Sequence, residues 1–210
     1  MAQHAGLFIS FEGIDGSGKT TQARLLADSL RSEGREVVLT REPGGSDGAE
    51  AIRRLLVAGA PDRWSAETEI LLFNAARRDH VERLIQPALA RGAVVITDRF
   101  ADSTRVYQGV ARASLRGLVD QLHDLVIGIE PDLTLVIDMD PDVALTRGLA
   151  RASGEDRFED LGLGFQEALR AGFFDLALSC PERITMIDGA HAPEAVARDI
   201  LAQVKARLHG

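Results

Sequence analysis

The sequence predicts an α/β fold in three layers, a five-stranded parallel sheet with helices on both faces. Three observations carry that expectation. The candidate strands are apolar throughout rather than alternating, as strands buried on both faces must be. They alternate with segments of helical periodicity, the pattern of a parallel sheet wound by crossover helices. A glycine-rich turn joins the first strand directly to the first helix.

Leu7–Phe11 (LFISF) is the first strand. In Thr20–Arg31, Ala23, Leu26, Ala27 and Leu30 recur at three- and four-residue spacing, and Gly34 stops the helix. Glu36–Thr40 (EVVLT) is a second strand. Ala49–Val57 and Glu67–Arg91 read as helices, the latter ended by Gly92, and Ala93–Thr97 (AVVIT) and Leu133–Ile137 (LTLVI) as strands. Asp140 caps a helix whose first residue is Pro141, a preferred N1 residue. Phe158–Leu178 is helical, Arg183–Ile187 is the fifth strand, and Ala197, Leu201, Val204 and Leu208 form a closing apolar stripe. There is no internal repeat or long linker, and Ala150–Glu159 (ARASGEDRFE) has the composition of a mobile loop.

The chain has 210 residues and a formal net charge of −8, a length that suits one domain (1–210) with a sizeable core. The charge argues against nucleic acid as the main partner. No apolar stretch approaches the ~20 residues that span a bilayer, and MAQHAGLFISFEG lacks the basic start of a signal peptide. A single cysteine, Cys180, excludes an internal disulfide and a Cys-rich zinc site. A soluble, cytoplasmic protein without membrane or nucleic-acid partners is expected. Only two of its basic residues are lysines, Lys19 and Lys205.

Lys19 sits in the most informative motif, Gly13-Ile14-Asp15-Gly16-Ser17-Gly18-Lys19-Thr20, which matches G-x-x-x-x-G-K-[ST]. From this chain's own residue frequencies, a chance match is expected in only ~0.002 of such chains. The glycines let backbone N–H groups turn inward around phosphates, and the helix N-terminus favours negative charge there. Lys19 is expected to reach the β- and γ-phosphates of a nucleoside triphosphate, and the Thr20 hydroxyl to ligate Mg²⁺. Two strands end in acid, at Asp98 and Asp138, and either could supply the carboxylate beside the metal. Asp98 is preferred because Arg99 places a cation next to it. Neither an N-K-x-D guanine signature nor an L-S-G-G-Q segment is present.

Three further segments, Thr40-Arg-Glu-Pro-Gly-Gly45, Asp98-Arg-Phe100 and Ser103-Thr-Arg-Val-Tyr-Gln-Gly109, stand in order after Phe11-Glu-Gly-Ile-Asp-Gly-Ser-Gly-Lys-Thr-Thr-Gln22. Together they resemble the signatures of bacterial thymidylate kinases, from about Leu7 to the closing helix. The resemblance implies the P-loop NTPase fold of nucleoside monophosphate kinases, with a small mobile lid at about 147–158 and a homodimer. It implies transfer of a phosphoryl group from ATP to dTMP, giving ADP and dTDP, with Mg²⁺. A phosphate dianion is already a nucleophile, so no general base is needed, and catalysis reduces to positioning and charge stabilisation.

Residue by residue, the resemblance implies that Asp15 accepts the sugar 3′-OH and that Arg41 and Arg99 hold the dTMP phosphate. Pro43 matches a proline often found in the cis form. Phe73 and Arg77, four apart on one helix face, match a pair that stacks on thymine and bonds its O4; read alone, Phe73 would be a core residue. Thr104 matches the position bonding N3, Tyr107 the ring under the deoxyribose, and Gln108 and Arg53 further substrate-side positions. Some members carry a catalytic arginine in the P-loop where this chain has Gly16. Here Arg147, Arg151 and Arg157 resemble the subtype that supplies it from the lid, Arg151 and Arg157 being the candidates. Other P-loop readings are a kinase of another nucleoside monophosphate or of a deoxynucleoside, and a nucleotide-dependent switch. The set Phe73, Arg77 and Thr104 separates the first from a dTMP kinase.

Overall fold

The computed structural model describes residues 5–58, 63–111, 113–149 and 162–209. Five strands, β1 (Leu7–Glu12), β2 (Val37–Arg41), β3 (Val94–Asp98), β4 (Leu133–Asp138) and β5 (Ile184–Asp188), form one sheet in the order β2-β3-β1-β4-β5. Every pairing is parallel. All five predicted strands are present, each within one residue of its expected bounds.

Period-two alternation sends each strand's side chains to two different layers. Ile9, Phe11, Val94, Ile96, Leu133, Leu135 and Ile137 pack against α1 (Lys19–Ser32) and α9 (Pro193–His209). Phe8 and Val95 face the opposite layer, against the α3 (Ala66–His80) to α4 (Gln86–Ala90) region. Val136 faces α5 (Ala101–Ala111), α7 (Pro141–Leu149) and α8 (Gly162–Ser179). This is the three-layer arrangement expected. Among the described residues no helix is long and apolar enough to cross a membrane.

Several expected elements differ in detail. The helix expected over Glu67–Arg91 is interrupted at Val81–Ile85 by a π-helical turn, in which the Gln86 N–H donates to the Val81 carbonyl. The cause is Pro87: it has no N–H for the Arg83 carbonyl, and its ring crowds that carbonyl, so the α-helical ladder cannot run through. The closing stripe is broader than expected, with Val196, Ile200 and Val204 fully buried and Ala197, Leu201 and Leu208 at its edge. Asp140 does cap α7, its Oδ1 accepting from the N–H groups of Asp142 (3.0 Å) and Val143 (3.4 Å). Residues 158–161 of the expected Phe158–Leu178 helix lie outside the described residues. Two further helices, α5 and α6 (Arg116–Leu122), lie outside the expected elements.

α5 is unusual because its buried side is largely polar: Asp102, Ser103, Thr104, Arg105 and Gln108 are all buried. Buried charge must be paired. The Asp102 carboxylate accepts from Arg105 Nη1 (2.8 Å) and from Arg183 Nη1 and Nη2 (2.5 and 2.9 Å). Arg183, just before β5, also donates to Thr134 Oγ1 (2.9 Å), which meets Ser10 Oγ on β1 (2.9 Å). Against the cost of burial, the two arginines hold Asp102 below the usual carboxylate range. α5 is therefore fixed to the sheet by an ion pair, and its register is set by geometry rather than by apolar contact alone.

Removing one partner from a buried pair costs about 3–5 kcal/mol where the other charge is left uncompensated; here Arg105 keeps Glu130 and Asp120, and Arg183 keeps Glu130, so the cost is smaller. Asp102→Asn should lose about 2–3 kcal/mol in urea unfolding at neutral pH, the worth of hydrogen bonds between charged groups; a loss below about 1 kcal/mol would make the pair incidental.

Candidate active site

The site is built where strands end and helices begin, at the carboxyl edge of the sheet, the usual place for ligands in such folds. β1 ends at Glu12, and the loop Gly13–Gly18 leads into α1. Gly13, Gly16 and Gly18 take positive φ angles of 130°, 80° and 102°, which side-chain-bearing residues rarely adopt. Gly16 is required twice over, since a Cβ there would lie 1.9 Å from the Ala144 carbonyl oxygen of α7. α7 thus packs against the loop where an arginine would otherwise project.

α1 starts without a side-chain cap and has no acidic residue in its first turn, in contrast to α3, where Ser65 accepts from the Thr68 N–H (3.2 Å). Its N-terminal N–H groups and positive dipole end are left for an anion. The buried Ser17 Oγ finds no hydrogen-bond partner among the described residues. Lys19 folds back over the loop, Nζ donating to the carbonyls of Gly13 (3.0 Å) and Ile14 (2.7 Å), with Asp15 3.9 Å away. Burial, together with Arg99, lowers its pKa to about 8 despite Asp15 and Asp98 nearby.

Strand alternation sends the two candidate carboxylates to different faces of the sheet. Asp98 follows Val94 and Ile96 onto the α1 face and accepts a hydrogen bond from the Thr20 hydroxyl. Asp138 lies on the other face, held bidentately by Arg170 Nε (2.6 Å) and Nη2 (2.8 Å) of α8. Thr20 and Asp98 offer two hard oxygens side by side. That suits Mg²⁺, which takes few protein ligands and keeps water and phosphate oxygens. No cluster of three or more His, Cys, Asp or Glu that could cage a metal occurs among the described residues.

Immediately after Asp98 the backbone turns sharply. Arg99 has φ 71°, the one non-glycine residue with positive φ among those described, a conformation costing an L-residue roughly 1–2 kcal/mol. Its N–H donates to the Phe11 carbonyl (2.9 Å), and its carbonyl accepts from Thr97 Oγ1 (2.8 Å). The turn sends the guanidinium to the side opposite Asp98. There Nη1 donates to Ser103 Oγ (2.8 Å), and Nη2 to Tyr107 Oη (3.0 Å) and the Asp15 carboxylate. Tyr107 in turn donates to Asp15 Oδ2 (2.8 Å). Although burial opposes it, Arg99 and Lys19 hold Asp15 down at about 2. Burial pushes the Tyr107 phenol well up, so it remains a donor.

Beneath this cluster lies Glu12, a residue the sequence reading passed over as a strand end. Fully buried, it accepts from the Phe100 N–H (2.8 Å) and Ser103 Oγ (2.5 Å), bracing the segment that carries Arg99. Burial and the nearby Asp102 push it up to about 7. The available signal was its position, an acid ending an otherwise apolar strand just before the glycine loop.

The remaining expected residues line the side of β2, α3 and α5. Arg41, half-exposed, reaches Glu50 on α2 (Asp47–Val57) at 3.1 Å. The Glu42–Pro43 peptide is cis, and Arg53 Nη1 donates to the Pro43 carbonyl at 2.5 Å. Arg77 is buried, Nη2 donating to Thr104 Oγ1 (3.0 Å). Phe73, one turn earlier, is partly exposed and belongs to none of the three apolar clusters, unlike the core role its sequence context suggests. Gln108 is buried on α5. Arg147 is on α7; Arg151 and Arg157, with the rest of the expected lid beyond residue 149, lie outside the described residues.

On the far side of the P-loop is a cleft of about 220 Å³. Gly16, Gly18, Arg147, Gly189, His191 and Pro193 line it. Gly189 is tight here, a Cβ falling 2.7 Å from the Asp138 carbonyl oxygen. The cleft thus adjoins the phosphate loop on one side, and on the other Arg99 ties the loop's Asp15 to Tyr107 of α5.

The family model for thymidylate kinase matches residues 11–200. The chain is 71% identical over 199 residues to a thymidylate kinase of Dinoroseobacter shibae, covering 95% of this chain and 96% of that one. It is 66% identical over 202 residues to a thymidylate kinase of Jannaschia sp., covering 96% and 97%. The crystal structure of thymidylate kinase from Ehrlichia chaffeensis superposes with a TM-score of 0.76 at 39% identity, over 95% of this chain and 98% of that one. Matched along nearly all its length in both sequence and fold, this chain belongs to the thymidylate kinase family of phosphotransferases.

Proposed function

We propose that the site transfers the terminal phosphoryl group of ATP to the phosphate of dTMP, giving ADP and dTDP, in the cytoplasm. The observation that carries this reading is Arg99. Its left-handed backbone sets one guanidinium beside both Asp15 of the phosphate loop and Tyr107 of α5.

The cleft by Arg147 and His191 takes the adenosine of ATP, and the Gly13–Thr20 loop takes its phosphates, Ile14 to Gly18 contributing backbone around them. Lys19 exchanges its two carbonyl contacts for β- and γ-phosphate oxygens. Thr20 and Asp98 would hold Mg²⁺, which would supply neutralisation of phosphate charge. On the acceptor side Arg99 and Arg41 hold the dTMP phosphate and Asp15 the sugar hydroxyl. Tyr107 backs the deoxyribose, and Phe73, Arg77 and Thr104 read the base, with Arg53 and Gln108 at the edge. The acceptor phosphate attacks the γ-phosphorus, the bond to the bridging oxygen breaks, and ADP leaves with that oxygen. No residue has to remove a proton from the nucleophile. Lys19 and Arg99 stabilise the charge on the transferring group, joined by Arg151 or Arg157 of the lid. Exposed Leu55 on α2, Leu71 on α3 and Leu125 in the neighbouring 123–127 turn support a homodimer with an apolar interface.

Lys19→Ala should leave the thermal transition in place and lower kcat for dTMP by about 10² or more. In a coupled assay across nucleoside monophosphates, near-normal turnover of that variant would reject the donor assignment.

Lys19 neutralises phosphate only while protonated, that is below its pKa of about 8. kcat/KM for ATP, which reports the free enzyme, should therefore fall as pH rises above that value. Bound phosphates raise the lysine pKa, so kcat should stay level to higher pH. A kcat/KM profile still flat at about pH 9.5 would contradict the role.

Tyr107→Phe removes the hydroxyl between Asp15 and Arg99 but keeps the ring. It should lower kcat/KM by about tenfold, the worth of one buried hydrogen bond to charged groups, while preserving the preference for dTMP over ribothymidine monophosphate. Tyr107→Ala should narrow that preference, and an unchanged ratio would remove the ring from the sugar site.

A further inference from the structure

Behind Arg77 lies a second tier of buried polar side chains that the proposed reaction does not use. Glu42, the residue after β2, is buried, and its N–H donates to the Asp98 carbonyl (2.9 Å), which pins it beside the end of β3. Its Oε2 accepts from Arg77 Nε at 2.7 Å. Its Oε1 meets Nδ1 of His80 at 3.1 Å, and Nε2 of the same ring meets Thr40 Oγ1 at 2.8 Å. His80 has no exposed surface. Gly45 lets the chain pass over this ring, since a Cβ there would be 2.4 Å from both His80 Nε2 and Thr40 Oγ1. The relay Thr40–His80–Glu42–Arg77–Thr104 thus joins β2, α3 and α5. Arg77 and His80 hold Glu42 below its ordinary range in spite of burial.

A guanidinium is planar, and two in-plane partners on different nitrogens fix its orientation. Glu42 occupies Nε and Thr104 occupies Nη2, while the Phe100 ring lies 5.1 Å from the guanidinium carbon. Nη1 makes no hydrogen bond among the described residues. Rigidity matters more than attraction here. A mobile arginine could turn from a base carrying an amine at position 4 at little cost. A clamped one leaves two donors facing each other, and exclusion by an unpaired polar group is an effective route to specificity.

We infer that Glu42 and His80 are positioning residues that clamp the Arg77 guanidinium and so set the preference for a carbonyl over an amine at position 4 of the pyrimidine. The inference rests on the reading of Arg77 as the base-contacting residue.

The test compares kcat/KM for dTMP and dCMP in the unmodified enzyme, Glu42→Ala, Glu42→Gln, Arg77→Ala and the double variant Glu42→Ala/Arg77→Ala, with thermal melts on each. Glu42→Ala should lower the dTMP/dCMP ratio by about tenfold, while KM for ATP stays within about twofold. Glu42→Gln, which keeps an acceptor but no charge, should lower the ratio by about threefold. In the Arg77→Ala background, Glu42→Ala should not change the ratio further, because the group it positions is gone. If Arg77→Ala itself leaves the ratio intact, the reading of Arg77 fails and the inference with it. If Arg77→Ala collapses the ratio but both Glu42 variants keep it, or lose both substrates equally, the clamp is overturned and the reading of Arg77 stands. Should Glu42→Ala not fold, Glu42→Gln decides by the same criterion.

Discussion

The left-handed turn at Arg99 is the constraint on which the site depends. Asp98 and Arg99 are neighbours in the chain, yet they serve opposite sides of the sheet. Asp98 points to α1 and Thr20 because its strand alternates that way. Arg99 would follow the pleat to the other layer and on into the core, but the positive φ lifts its side chain to the sheet edge beside Asp15 and Tyr107. An unfavourable backbone conformation persists only where its surroundings over-determine it. Here they do: Phe11 and Thr97 bond the Arg99 main chain, and Glu12 holds the Phe100 N–H.

Much of the interior polarity follows from that turn. Glu12 and Asp102 are buried acids on the same side of the sheet, close enough that Asp102 raises Glu12. Asp102 is neutralised by Arg105 and Arg183, whereas Glu12 is held by one main-chain N–H and one hydroxyl. Such networks stabilise little relative to an apolar core, but they are costly to break in part. α5 packs by ion pairs as well as by apolar contact, and this holds Ser103, Thr104 and Tyr107 at fixed positions beside Arg99 and Arg77.

Two buried carboxylates each brace an arginine. Glu12 acts on Arg99 through Ser103, and Glu42 acts on Arg77 directly. The difference matters chemically. A guanidinium facing a phosphate can tolerate some motion, because the attraction is long-ranged; one facing a base edge must discriminate between a carbonyl and an amine within one hydrogen-bond length.

The sequence by itself determined the three-layer class, all five strands and the phosphate loop. Those features are local: apolar runs, glycine spacing and a lysine at a set distance are written in consecutive residues. It offered Asp98 and Asp138 by position and preferred Asp98 for its neighbour Arg99; strand alternation and the placement of α1 and α8 then set the two carboxylates on different faces of the sheet. It missed α5 because that helix buries polar groups, whose partners Arg183 and Glu130 lie far along the chain. It read Glu12 as a strand end and left Glu42 and His80 without a role. A carboxylate's role is set by what it touches, and Glu42 touches residues of α3 that are 35 and 38 positions away in the chain. Local sequence specifies which backbone can form; only the folded chain decides which buried charges meet, because burial makes an unpaired one too costly to leave.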